Sequence, residues 1–302
     1  MHFQTSLLLF AILSTTSAYQ IDMSCFWNGG FDVHAGVDEA KAIAEYAAFR
    51  MADNDPALGE IVKQTMGNNR EDRRKFRENM NTVDAGFGPF TGPWISGLLN
   101  DPTVVIKCNA NHFQRAPGQF GTWIDPEFPN MPHMVPNSLF CQPTPNGMQT
   151  VAFTYETGLV RQPGPQNAAV GPSHVIVICA GPTDAARNKV TGIGTTWRTR
   201  DWTGVEFLDF DRYLSYSLLH EIMHVANPGL GHTLASGRGE AYGWHDINAL
   251  NNADKQSNAD NYCMLATALW MKRHTISGTG GKFGRRHPVS NRPKDSPNDR
   301  HP

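Results

Sequence analysis

Residues 213–226 read YLSYSLLHEIMHVA and carry the strongest structural signal in the chain. The segment contains no Gly or Pro and is rich in apolar residues, which predicts one buried helix. On a helix, residues i and i+4 lie on the same face about one turn apart, so His220 and His224 can reach one metal ion. Glu221 lies beside them, where its carboxylate can deprotonate an activated water molecule. The segment therefore predicts a metal-binding helix that also carries a general base.

A third metal ligand is expected beyond this helix, because a catalytic zinc ion usually takes three protein ligands and keeps a fourth position for water. The chain offers four candidates after His224, namely His232, Glu240, His245 and Asp246. Glu240 is the first choice, because it opens a helical segment, where the helix dipole favours a carboxylate. His232 and His245 are then a loop and a surface histidine. The competing interpretation of Glu240 is an ordinary acid at a helix start.

Composition excludes several functional classes. The chain has 302 residues and a formal net charge of -2, so it presents no basic surface for nucleic acid. Residues 1–18 combine an apolar run with the small residues Thr16-Ser17-Ala18, which is typical of a secretory signal peptide. That run is too short to cross a membrane, and no later segment qualifies. We therefore expect a secreted monomer without a membrane partner, whose mature chain begins near Tyr19.

The periodicity of the chain predicts an α+β fold, mainly helical with a small sheet beside the metal-binding helix. Helical patterns cover residues 37–51, 56–66, 69–83, 209–226, 241–250 and 258–272. Runs rich in β-branched residues predict strands at 103–108, 150–155 and 174–179. We expect one domain over residues 19–276, with helices in 34–100, strands in 101–180 and metal-binding helices in 209–272. The tail, residues 277–302, is basic and rich in Pro and Gly, so we expect disorder there.

One of these strands is a candidate for substrate binding. In zinc peptidases generally, a strand beside the cleft pairs with an extended substrate. The strand within residues 173–179 is the best placed, because it precedes the metal-binding helix. A purely structural strand is an equally good interpretation of the same residues.

The mature chain contains five cysteines, Cys25, Cys108, Cys141, Cys179 and Cys263. An oxidising secretory route predicts two disulfides and one free thiol. Cys263 lies in an apolar helical segment, which favours a buried thiol at that position.

Three motifs together resemble one known family. They are residues 220–224 (HEIMH), residues 242–243 (YG) and residues 258–262 (NADNY). In this order they look like the deuterolysin-type zinc endopeptidases of fungi, or aspzincins, which include the peptidyl-Lys metalloendopeptidases. The resemblance covers most of residues 25–272, and its motifs lie in the last third. The chain departs from the family at Gly239, where the family has its ligand aspartate, and Glu240 is the neighbouring acid.

The resemblance implies a zincin-like fold and a secreted zinc-dependent endopeptidase that acts on proteins or peptides. It implies one zinc ion per chain, bound by His220 and His224, with Glu221 as general base. It also implies that Tyr242 stabilises the oxyanion, because a phenol can donate a hydrogen bond to charge that develops in the transition state. The implied disulfides are Cys25–Cys108 and Cys141–Cys179. The alternative function is a non-catalytic secreted zinc-binding protein on the same fold.

Overall fold

The structure is a computed structural model that describes residues 18–27, 32–52, 59–67, 70–94, 103–115, 123–128, 141, 150–157, 172–180, 203–206, 210, 212–227, 229–230, 232–271, 274–277 and 282–286. These residues form a mixed α/β structure whose largest sheet is mostly parallel. The predicted signal peptide lies outside them, except for Ala18. Within the described ranges, no helix is both long enough and apolar enough to cross a membrane.

The described part of the chain contains eight helices. They are α1 (Met23–Trp27), α2 (Val33–Ala52), α3 (Gly59–Thr65), α4 (Arg70–Phe87), α5 (Leu214–Ala226), α6 (Gly243–Ala249), α7 (Asn252–Ser257) and α8 (Ala259–Trp270). All six helices expected from periodicity are present, as α2 to α6 and α8. The short helix α7 was not expected. It begins at Asn251, whose side chain accepts a hydrogen bond from the backbone of Asp254 and so caps the helix.

Apolar spacing explains why these helices pack together. In α4, Phe76, Met80, Val83 and Phe87 recur at helical spacing and are almost fully buried. The opposite face of α4 is charged, and Arg74 forms ion pairs with Glu71 and Glu78 there. Helix α5 contacts α2, α4 and α8, so the metal-binding helix lies inside the helical layer.

Nine short strands accompany the helices in the described ranges. They are β1 (Tyr19–Asp22), β2 (Phe90–Trp94), β3 (Val104–Lys107), β4 (Gln114–Arg115), β5 (Trp123–Ile124), β6 (Ala152–Glu156), β7 (His174–Ile178), β8 (His274–Ser277) and β9 (Lys282–Arg286). The main sheet has the order β2-β1-β3-β7-β6. Its first four strands are parallel, and β6 is antiparallel to β7.

Two predictions about this sheet need correction. Residues 34–100 were expected to be helical, yet residues 90–94 form β2, and β1 (residues 19–22) is a strand that was not expected. Gly and Pro are rare within strands, so strand propensity does not identify β2, which contains Gly92-Pro93. The strand expected to pair with substrate, β7, lies between β3 and β6, so both of its edges are occupied. Among the described strands, β6 lies at one edge of the sheet and β2 at the other.

The two faces of the sheet carry different cores. Val104, Ile106, Ile176 and Ile178 face the helices and join the main core. Val175, Val177, Phe153 and Tyr155 belong to a second apolar cluster. Successive residues of a strand point to opposite faces, so each strand contributes to both cores. The disulfides are Cys25–Cys108 and Cys141–Cys179, which confirms the implied pairing, and Cys263 is a buried free thiol.

A hairpin closes the described chain at its carboxyl end. Strands β8 and β9 pair in antiparallel fashion, with His274 opposite Arg286 and Ser277 opposite Lys282. Disorder was expected from residue 277 onward, so Ser277 and Lys282–Arg286 depart from that prediction. Local backbone pairing produces this hairpin, and an average over the composition of the tail does not detect it. The other residues of the tail lie outside the described ranges.

A buried charge network lies beside the second cluster. The Lys107 ammonium is 3.1 Å from Asp125 Oδ2 and 2.6 Å from Glu127 Oε2. Tyr155 donates its hydroxyl to Asp125 at 2.5 Å, and His112 Nε2 lies 3.4 Å from the same carboxylate. Burial and the nearby Lys107 charge lower the pKa of His112 to about 4. His112 is therefore neutral near pH 7.

We expect His112 to make the fold sensitive to acid. The pKa of histidine in the unfolded chain is about 6.5, so below that pH His112 is protonated in the unfolded state but stays neutral in the folded state down to about pH 4. The free energy of unfolding therefore has its full value above pH 6.5 and decreases by roughly 2–3 kcal/mol as the pH falls toward 4. Denaturant unfolding of wild type and His112→Asn at pH 7, 5.5 and 4 measures this loss.

The His112→Asn variant should lose less stability on acidification than wild type. His245→Asn removes an exposed histidine and controls for the substitution as such. Equal losses in wild type and His112→Asn would contradict the role given to His112.

Candidate metal centre

Helix α5 brings the two histidines of the motif together. His220, Glu221 and His224 are 8%, 6% and 7% exposed, so all three lie inside the protein. The Nε2 atoms of His220 and His224 are 3.2 Å apart, as expected for residues one helical turn apart. Helix α5 ends at Ala226 with Asn227 as its C-cap, and Pro228, which cannot continue a helix, follows in the sequence.

A tight turn after α5 returns the chain to the histidines. Thr233 and Gly239 form an antiparallel bridge, and the backbone of Leu234 accepts and donates hydrogen bonds within the turn. Gly237 has φ +81°, a left-handed conformation that glycine adopts without strain. The residue after the bridge is Glu240, and its side chain is only 3% exposed.

The Glu240 carboxylate completes a group of three potential ligands. Its Oε2 lies 3.5 Å from His220 Nε2, and its Oε1 lies 3.4 Å from His224 Nε2. One ligand atom from each of the three residues lies within 4.8 Å of the other two. This group can hold a metal ion, and it consists of the two histidines and the first-choice acid of the sequence prediction.

The chemistry of the group fits a divalent cation. Glu240 Oε1 is buried and has no hydrogen-bond partner among the described residues, so an acceptor is left for an ion. His224 Nδ1 donates to the backbone oxygen of Leu230, which leaves the Nε2 lone pair for a metal. Burial alone raises the pKa of Glu240, but the three neighbouring histidines outweigh burial and hold that pKa far below its ordinary value. The carboxylate is therefore charged.

Asp260 supports His220 from the side away from the group. Its Oδ1 lies 3.8 Å from His220 Nδ1 and accepts the Tyr216 hydroxyl at 2.7 Å. Its Oδ2 accepts the backbone amide of Gly243 at 2.9 Å. Burial lowers the pKa of His220, but Asp260, Cys263 and Glu240 raise it well above its ordinary value. A carboxylate behind a ligand histidine fixes its tautomer and the direction of its ring.

The free thiol of Cys263 forms a hydrogen bond with His220, but it does not have the properties of a metal ligand. Burial raises the pKa of Cys263 to about 11, although its hydrogen bond with His220 opposes that shift. The thiol therefore stays protonated at neutral pH, whereas a metal ligand must be a thiolate.

Asn258 ties the 258–262 motif to the segment that carries Tyr242. Its side chain accepts a hydrogen bond from the Ala241 amide at 3.1 Å and donates to the Ala241 oxygen at 2.9 Å. Tyr242 follows directly and donates its hydroxyl to Glu240 Oε2 at 3.0 Å. The Tyr242 ring centre lies 5.6 Å from that of His220, and 59% of the residue is exposed. Tyr242 therefore lies at the solvent side of the group.

The general-base candidate Glu221 reaches the edge of the sheet. Its Oε2 accepts the hydroxyl of Thr154, a residue of β6, at 2.7 Å. Helix α5 and strand β6 are in contact, so the carboxylate lies between the metal-binding helix and the edge strand.

The other ligand candidates lie outside the group of three. The His232 side chain is 56% exposed, with Nδ1 3.6 Å from Glu240 Oε2, and its Nε2 donates to the Thr154 oxygen at 3.3 Å. His232 thus contacts the carboxylate but does not join the ligand atoms. His245 and Asp246 lie on α6 and are exposed. Sequence reasoning assigned no role to Thr154 or Asp260; the 258–262 motif could have pointed to Asp260, whereas nothing in the sequence pointed to Thr154.

Comparison with known proteins adds no assignment. Neither the protein-family models nor the curated protein sequences give a match to this chain.

We expect Glu240→Ala to lower affinity for Zn²⁺ by at least about 100-fold. Removing a residue that only supports a ligand already lowers metal affinity by about 10- to 100-fold, and Glu240 is itself a potential ligand. His232→Ala is the matched control, since it removes a contact of the carboxylate but no atom of the group. Competition with a chromogenic chelator measures both affinities. Loss of zinc in His232→Ala together with retention in Glu240→Ala would assign the third ligand to His232.

We expect Asp260→Asn to weaken metal binding by about 10-fold, because an amide no longer favours the Nδ1–H tautomer of His220. Tyr216→Phe removes one hydrogen bond of Asp260 and leaves its charge, so its effect should be smaller. The same chelator titration compares the variants, and circular dichroism verifies their folding. An affinity in Asp260→Asn equal to wild type would show that the carboxylate does not support His220.

Proposed function

We propose that this chain is a secreted zinc-dependent endopeptidase with a zincin-like fold, related to the deuterolysin-type enzymes. The observation that carries the proposal is the convergence of His220, His224 and Glu240 beside the carboxylate of Glu221. Two nitrogens and one oxygen are the ligand set of many catalytic zinc sites. A site that only stores metal needs no carboxylate next to its ligands, so Glu221 favours catalysis.

The metal supplies one part of the chemistry. A bound zinc ion acts as a Lewis acid, which lowers the pKa of water and polarises a carbonyl group. His220, His224 and Glu240 hold the ion, and Asp260 and the Leu230 oxygen orient the two imidazoles. Tyr242 and His232, both more than half exposed, mark the side from which substrate enters.

The remaining chemistry belongs to side chains of this protein. Glu221 takes a proton from the attacking water and later gives it to the leaving amine. Tyr242 turns its hydroxyl from Glu240 to the oxygen of the scissile carbonyl as negative charge develops there. A hydrogen bond that forms only in the transition state lowers the barrier without tightening substrate binding.

Strand β6 supplies a place for an extended peptide. The backbone groups of every second residue bond toward β7. Just before β6, the Val151 oxygen accepts the Cys179 amide, and just after it, the Thr157 amide donates to the Ser173 oxygen. Phe153 and Tyr155 are the positions of β6 in the same alternation. In an antiparallel pair these positions alternate with residues whose backbone groups point away. The amides and carbonyls of Ala152, Thr154 and Glu156 therefore point to the sheet edge, where a peptide can add as a strand.

Secretion is part of the proposal. The apolar leader followed by small residues supports export, and two disulfides agree with an oxidising compartment. Amino-terminal sequencing of the secreted protein tests whether the mature chain begins near Tyr19.

We expect Glu221→Gln to abolish hydrolysis of casein, by at least about 100-fold, because the amide cannot accept the proton of the attacking water. The variant should still bind one zinc per chain, since none of the three ligands is altered. Glu60→Gln, a distant exposed substitution, is the control.

Casein hydrolysis that survives in Glu221→Gln would refute the mechanism. Stoichiometric zinc without hydrolysis in the wild type would favour the non-catalytic zinc-binding alternative.

A further inference from the structure

We infer that Thr154 is a positioning residue that fixes the orientation of the general base Glu221. The inference rests on the proposed function. It assigns a role to a side chain that lies in the sheet, outside the metal-binding helix and outside all three sequence motifs.

The contact between the two side chains is short and buried. Thr154 Oγ1 lies 2.7 Å from Glu221 Oε2, and the two residues are 8% and 6% exposed. The hydroxyl of Thr154 donates and the carboxylate oxygen of Glu221 accepts. Fixing Oε2 also fixes the rotation of the carboxylate and hence the direction of its second oxygen.

The sheet determines where the hydroxyl points. Thr154 is opposite Ile176 in the pairing of β6 with β7, and both side chains face the helical layer. Its neighbours Phe153 and Tyr155 point to the other face, where they belong to the second apolar cluster. A shift of the strand by one residue would turn the hydroxyl away from α5. The packing of both faces therefore holds the donor in place.

The same residue lies on the proposed substrate track. The Thr154 oxygen points away from β7, and the ring N–H of His232 donates to it at 3.3 Å. A peptide that adds to this edge and replaces His232 on that oxygen is placed by the backbone of Thr154, while the base is placed by its side chain. Thr154 then determines the position of the scissile carbonyl relative to the Glu221 carboxylate.

Substitution by valine and by serine separates this role from a structural one. Thr154→Val keeps the shape of the side chain and removes the hydroxyl, whereas Thr154→Ser keeps the hydroxyl. We expect Thr154→Val to lower kcat for a peptide substrate about 10-fold with KM changed less than about 2-fold, because a misoriented base affects the chemical step. Thr154→Ser should retain at least about half of the wild-type kcat.

Thr157→Val is the matched control. Thr157 lies just after β6, is buried, and donates its hydroxyl to the backbone oxygen of Pro172. Its substitution should lower the melting temperature and leave kcat unchanged. Chelator competition should give the same zinc affinity for Thr154→Val and wild type, since no ligand is altered.

A measurement that needs no activity tests the contact itself. The denaturant midpoints of Thr154→Val, Glu221→Leu and the double variant should be non-additive, because each single substitution removes one partner of the same hydrogen bond. Additive midpoints, or a kcat of Thr154→Val equal to that of an active wild type, would overturn the inference alone. A zinc-loaded wild type without hydrolysis would overturn the proposed function and the positioning role with it.

Discussion

The Glu240 carboxylate lies inside the protein between the imidazoles of His220 and His224, with 3% of its side chain exposed. Burying an unpaired charge costs on the order of several kcal/mol, so this arrangement persists only if positive charge accompanies it. Against the effect of burial, Asp260, Cys263 and Glu240 raise the pKa of His220, and Glu240 raises the pKa of His232. A divalent cation would balance the buried charge more completely, because it would also bind Oε1, which accepts no hydrogen bond from the described residues.

The rest of the structure can be understood as support for this one contact. Helix α5 fixes two of the three potential ligands because it is held among α2, α4 and α8. The segment before Glu240 brings in the third potential ligand, and the Leu230 oxygen accepts a hydrogen bond from His224. Helix α8 contributes Asp260 behind His220, and Asn258 at its start holds the segment before Tyr242. The elements around the group therefore each contribute a contact to it.

The sequence predicted the parts of this arrangement that depend on local periodicity. Helix α5 and its two histidines follow from spacing alone, and the six expected helices are present. Strands β1 and β2 could not be predicted, because β1 reads YQID, with a single β-branched residue, and β2 contains Gly92-Pro93. The edge position of β6 depends on strand order, which no local pattern encodes. The contact of Thr154 with Glu221 joins residues 67 positions apart, so only the assembled sheet reveals it.

The displaced ligand position illustrates how backbone geometry decides between neighbouring residues. The resemblance places an acid at position 239, where this chain has glycine. Gly239 lies in the bridge with Thr233, and a Cβ built on it would meet nothing within 4 Å. Successive side chains of an extended segment point in opposite directions, so a side chain at 239 points into open space and the one at 240 points to the histidines. In this backbone an aspartate at 239 would face away from the metal group. The glutamate at 240 is therefore consistent with a potential ligand moved by one position, and the chain reverses direction through the Thr233–Gly239 bridge before it reaches that residue.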